Sequence, residues 1–216
     1  MGWRAVAPAA LAVVALVAAP SVASPSISPC THGYSYAGNA SRHGADGVAA
    51  TITAVQPPVV YTGHAAAWVG VGGIHQGPGG ASEWIQAGLA AFPGSGLHLY
   101  VEEVSRGEVR RFVDLGRAVQ GRRYRVRVAQ TGRDVWRAFV EGRPVGAAAY
   151  LPTGGGSWRA VATAESWAAG RANCNRYAYR FEAVAVRHSN GWAKLAAAQR
   201  VGAAVSQNRA GFSASY

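Results

Sequence analysis

Ten short runs of alternating apolar and polar residues, each closed by a turn signal, limit this chain more than any other feature. They are Val48–Val55, Ala65–Gly72, Glu83–Phe92, Leu97–Val104, Glu108–Leu115, Arg123–Gln130, Val135–Gly142, Trp158–Trp167, Tyr177–Val186 and Gly211–Tyr216. A period of two sends successive side chains to opposite faces of a strand, and strands at this spacing are those of an all-β sandwich. Between them stand "GGIHQGPGGAS", "PGSG", "TGRD", "EGRP" and "PTGGGS", and glycine reaches 28 of 216 residues. "VWRAFVEGRPVGAAAY" predicts a hairpin turning at Glu141–Pro144. Helical periodicity is weak throughout, and Trp192–Ala204 is the one candidate helix. There is no internal repeat. The length suits a single domain with its own core, and two packed antiparallel sheets are the natural arrangement for it.

The first residues point to export. Arg4 precedes an apolar stretch from Ala5 to Ala19, and small residues at Ser21 and Ala23 fit a signal-peptidase site, so residues 1–23 are expected to be removed. The stretch is shorter than the roughly 20 apolar residues of a membrane span, so a secreted, extracellular chain with no membrane attachment after cleavage is expected. Residues 24–47, rich in Ser, Gly, Asn and Pro, read as a flexible arm ahead of a domain over residues 48–216. In an oxidising compartment Cys30 and Cys174 are expected to pair. Asn39-Ala40-Ser41 matches a glycosylation sequon. The formal net charge is +11, carried almost wholly by arginine, since Lys194 is the only lysine. Codon usage in a high-GC genome accounts for this, or attraction to an anionic partner such as a cell-wall polymer. The arginines are scattered apart from "RRYRVR", where they alternate with Tyr124, Val126 and Val128 as on the outer face of a strand, and no nucleic-acid-binding signature is present.

Chemistry must come from few residues. No HExxH, Walker, GxSxG or CxxC pattern occurs, and the six histidines show no metal-ligand spacing, so neither a metal nor another cofactor is expected. Of ten acidic residues, Glu108, Asp114, Asp134 and Glu141 lie near turns or among arginines, where solvation accounts for them. Glu102 and Glu103 are adjacent and must face opposite sides of a strand. Glu165 stands apart in "VATAESWAA", on one face with Val161, Thr163 and Trp167, and an unpaired carboxylate in such a run is costly to bury. Gln86 in "EWIQAGLAAF" is its uncharged counterpart. Both also suit a blander reading as core polar groups with satisfied hydrogen bonds.

Taken in order, "AAAWVGVGG", "WIQAGLAAF", "LHLYVEEV" and "ATAESW" resemble the successive motifs of the glutamic peptidases, or eqolisins, over roughly Thr51–Phe181. The resemblance implies a concanavalin A-like jelly-roll sandwich whose concave face holds a glutamine–glutamate dyad. Matched residue by residue, it implies Gln86 and Glu165 as the catalytic pair. Trp68 and Glu102 match the family's cleft tryptophan and the acidic residue of its aromatic strand; with Tyr100 and Trp167, aromatics expected on the same concave face, they are the expected substrate-binding residues. Gly72 and His98 stand where the family has aspartates, and Val104 where it has a cleft tyrosine. The implied activity is cleavage of a polypeptide by a monomeric endopeptidase, with Glu165 activating water and Gln86 assisting the oxyanion. Partly desolvated carboxylates hold their protons to higher pH, which suits acidic conditions. A non-catalytic carbohydrate- or peptide-binding module on the same jelly roll is the alternative.

Overall fold

The computed structural model describes residues 33–152, 158–168, 174–195, 199–202, 205–208 and 211–215. Its strands are β1 (Gly33–Gly44), β2 (Gly47–Val59), β3 (His64–Gly73), β4 (Glu83–Phe92), β5 (Gly96–Ser105), β6 (Glu108–Arg117), β7 (Tyr124–Gly132), β8 (Val135–Val140), β9 (Arg143–Tyr150), β10 (Arg159–Ala168), β11 (Arg176–His188), β12 (Gly191–Lys194), β13 (Gln199–Gly202), β14 (Val205–Asn208) and β15 (Gly211–Ser215). Among the described residues a single 3-10 turn, Pro78–Gly80, sits in the glycine-rich loop before β4. Among the described residues no helix is long and apolar enough to cross a membrane.

The strands form a jelly-roll sandwich of two antiparallel sheets. The first has the order β13-β1-β10-β3-β4-β5-β6; the second runs β14-β15-β11-β2-β7-β8-β9, with β12 also paired to β11. Alternation decides what each strand contributes. From the first sheet Ala65, Ala67, Val69 and Val71 of β3, Ile85, Ala87 and Leu89 of β4, and Ala160, Ala162 and Ala164 of β10 turn inward. From the second come larger groups, among them Ile52, Trp136, Tyr179 and Phe181, all at 1% exposure or less. An alanine-rich face against an aromatic-rich one lets the two layers interdigitate at core density. Phe181 and Phe212 stack with ring centroids 4.4 Å apart.

Several expectations change here. Residues 33–44, read as part of a flexible arm, form β1, which pairs with β10 on one side and β13 on the other. Its small residues hid it: Ala37, Asn39, Ala40 and Ser41 are buried without forming an apolar run. Burial of Asn39 at 6% exposure, in mid-strand, also removes it as a glycan acceptor. The Trp192–Ala204 stretch holds no helix where it is described; β12 turns back on β11, and β13 joins the edge of the first sheet. The signal segment and Cys30 lie outside the described residues, so the expected Cys30–Cys174 bridge does too.

Candidate functional site

The outer face of the first sheet carries the other half of each alternation. On β3 this face reads His64, Ala66, Trp68, Gly70; on β4, Gln86, Gly88, Ala90, Phe92; on β10, Val161, Thr163, Glu165, Trp167. The register sets Glu165 opposite Ala66, and Ala66 opposite Ala90. Gly70 lies opposite Gln86, which lies opposite Glu102. Small residues therefore form a floor with polar groups around it. Two of them must be glycine: a Cβ on Gly88 would run into the Ala67 carbonyl and Trp68 Cα, and one on Gly70 would sit 2.9 Å from the Gln86 Cβ. The result is a cleft of about 360 Å³, with Gln86 and Glu165 both in its lining alongside His64, Tyr100, Glu102 and Phe112.

Glu165, only 7% exposed, is not alone. Ala66 places no bulk opposite it, so two side chains of β3 reach in from either side. Trp68 Nε1 donates to Oε2 at 2.9 Å, and His64 Nε2 meets Oε1 at 2.6 Å. Each carboxylate oxygen keeps a further lone pair for water or substrate. The His64 ring is flanked by Tyr34, Phe92 and Trp167, with centroids 5.9, 6.0 and 6.3 Å away.

Gln86 is held from the other side. Its Nε2 donates to Glu102 Oε2 at 2.7 Å and to Tyr100 Oη at 3.1 Å. Burial, then the charge of Glu165, push the Glu102 carboxyl above its ordinary range, while His64 and the Gln86 hydrogen bond pull the other way. Tyr100 is raised well above the usual phenol value, first by burial and then by the two glutamates, so it keeps its proton. Having accepted from Gln86, it has that proton free to donate. The phenols of Tyr34 and Tyr36 are raised for the same first reason, burial.

The sheet thus brings Gln86, Glu165, Tyr100 and Glu102 into one cleft and lays Trp68 against Glu165. Trp167 is set apart: it faces the same way but lies behind His64, at the Tyr34 end. Glu103, on the opposite face from Glu102, pairs with Arg111 at 2.6 Å. His98, standing where an aspartate was expected, bonds Asp114 at 2.9 Å. Sequence reasoning passed over His64, Phe92 and Phe112. The first was weighed only for metal spacing, although its offset of four from Trp68 puts it on the same strand face. Among the described residues no group of three or more His, Cys, Asp or Glu is placed to hold a metal ion.

The fold is that of the eqolisin glutamic peptidases. Scytalido-glutamic peptidase with a transition-state analogue inhibitor superimposes with a TM-score of 0.61 at 17% identity, covering 85% of this chain and 98% of that one. The same enzyme with a peptide-based transition-state analogue gives 0.59 at 16%. SCP-B, an eqolisin in complex with the tripeptide Ala-Ile-His, gives 0.54 at 16% identity, covering 86% of this chain and 98% of that one. No family model and no curated protein matches the sequence.

Proposed function

We propose that this chain is a secreted glutamic-type endopeptidase in which Glu165 and Gln86 cleave a polypeptide lying in the outer cleft of the first sheet. The observation that carries the reading is the cleft itself, which joins a desolvated carboxylate and a carboxamide on one small-residue floor. A water held by Glu165 attacks the scissile carbonyl carbon and its proton passes to the carboxylate, while the carbonyl electron pair moves onto oxygen. The Tyr100 hydroxyl stands as a donor for that oxyanion, and the Gln86 carboxamide becomes one by turning an N–H from Glu102 or Tyr100 toward it. The C–N bond then breaks, Glu165 returns its proton to the amine nitrogen, and the carbonyl re-forms. Fixing the carboxylate through the Trp68 indole N–H leaves less reorganisation for the reaction itself.

The test is cleavage of a denatured protein over roughly pH 2 to 7, with wild type beside Glu165→Gln and Gln86→Ala. Loss of about 10²–10⁴-fold in kcat/KM is expected in each folded variant. Wild type that is folded but inert at every pH would overturn the reading.

A non-catalytic peptide or carbohydrate binder is favoured by one observation: both Gln86 amide hydrogens and both Glu165 oxygens already have protein partners. Binding that survives Gln86→Ala would select it. In either case the arginines on the outer face of the second sheet are proposed to hold the secreted chain against an anionic polymer such as cell wall.

A further inference from the structure

The contact between His64 and Glu165 has no counterpart in the chemistry just described. The mechanism needs a carboxylate, water and oxyanion donors, yet a basic side chain sits on the carboxylate at 2.6 Å. The contact is built in. Both side chains are largely covered, at 20% and 9% exposure. Three aromatic rings restrict the imidazole, and Ala66 leaves room for it to lean across.

The surroundings of the pair give it a task. From β5, Glu102 and the protonated phenol of Tyr100 face the cleft; from β1, Tyr34 and Tyr36 lie on the Glu165 side. His98 of β5 is taken up by Asp114 of β6. Among the described residues lining the cleft, His64 is the basic one, facing two carboxylates. A donor N–H held against one of the two carboxylates restricts it to one orientation over the cleft floor.

Building on the peptidase reading, we propose that His64 is a positioning residue for Glu165. Its Nε2–H fixes the carboxylate in the orientation needed for attack.

Glutamine at this position keeps an N–H donor, whereas alanine loses it. His64→Gln is expected to keep kcat within about threefold of wild type, and His64→Ala to lower it by about tenfold with KM little changed, as a loosened carboxylate spends less time in the attacking geometry. Equal kcat in the two variants overturns the positioning role while leaving the peptidase reading intact. If wild type does not cleave at all, the peptidase reading fails first and the catalytic role of the contact falls with it. The contact is then still decided by NMR: an imidazole Nε2–H proton shifted far downfield, present in wild type and lost in folded Glu165→Gln, supports positioning, and its absence from wild type overturns it.

Discussion

At the scale of single residues, Glu102 couples the cleft to pH. Its carboxyl is raised above the ordinary value of 4.5, first by burial and then by Glu165. The folded chain therefore binds this proton more tightly than the unfolded chain does. The favourable contribution of Glu102 is complete below its unfolded value and is lost as pH climbs through its folded value. Glutamine there would still accept the bond from Gln86 Nε2, without a charge to bury. Glu102→Gln is expected to raise the urea midpoint relative to wild type at pH 7, with the gap closing as pH falls through the folded value toward 4.5 and constant below it. A gap that does not vary with pH would show that Glu102 is not the titrating group. Glu141 works the opposite way. Its carboxylate accepts the Arg125 backbone N–H at 2.8 Å and is lowered chiefly by that bond, so its contribution is present at neutral pH and lost on acidification.

At the scale of elements, strand chemistry is the part most readily read from sequence. Period-two alternation places β3, β4, β5 and β10 to within a residue or two of their ends, and with them the side of the sheet that bears Gln86 and Glu165. The Glu141–Gly142 turn follows from its residues as well: both take positive φ, 50° and 80°, as a tight hairpin between β8 and β9 requires. What the pattern hides has physical causes. β1 is buried through small and polar residues, which carry no hydropathy signal, and the Ala-rich stretch after Trp192 suits helix and strand alike until a neighbouring edge is available. His64 is invisible as a partner of Glu165 because the two lie 101 positions apart and only the β3–β10 register joins them. The bulge in β11 is equally silent in sequence. Ala183 takes φ 50° where the pairing with β2 shifts, a conformation that an alanine Cβ disfavours. Its side chain is exposed, so Ala183→Gly removes strain without opening a cavity. Set against the added chain entropy of glycine, a net gain of about 0.5–1 kcal/mol is expected by denaturant unfolding. A loss of stability would show that the bulge is held by its side chain.

At the scale of the whole molecule, the two outer faces are electrically opposite. The cleft face of the first sheet gathers Glu102 and Glu165. On the second sheet, β7 turns Tyr124, Val126 and Val128 inward, which sends Arg125 and Arg127 outward; on β11, Tyr177, Tyr179 and Phe181 point in and Arg176 and Arg180 out. Arg137 lies on this outer face opposite Ala129. Some of the charge is spent locally, as Arg125 pairs with Glu141 at 3.0 Å and Arg127 lies 3.9 Å over the Phe139 ring. Arg176 and Arg180 are exposed at the surface. Under the proposal above, arginines displayed this way would attract polyanions to the side opposite the cleft and leave the cleft open to a polypeptide. Attraction of this kind is screened over about 8 Å at physiological ionic strength, so retention on an immobilised anionic polymer should fall steeply with salt. The Arg137→Gln, Arg176→Gln, Arg180→Gln triple variant should elute at clearly lower salt than wild type with kcat/KM unchanged, because none of the three residues touches the cleft. Elution at the same salt would assign the charge to composition alone, and a parallel fall in kcat/KM would mean that the two faces are not independent.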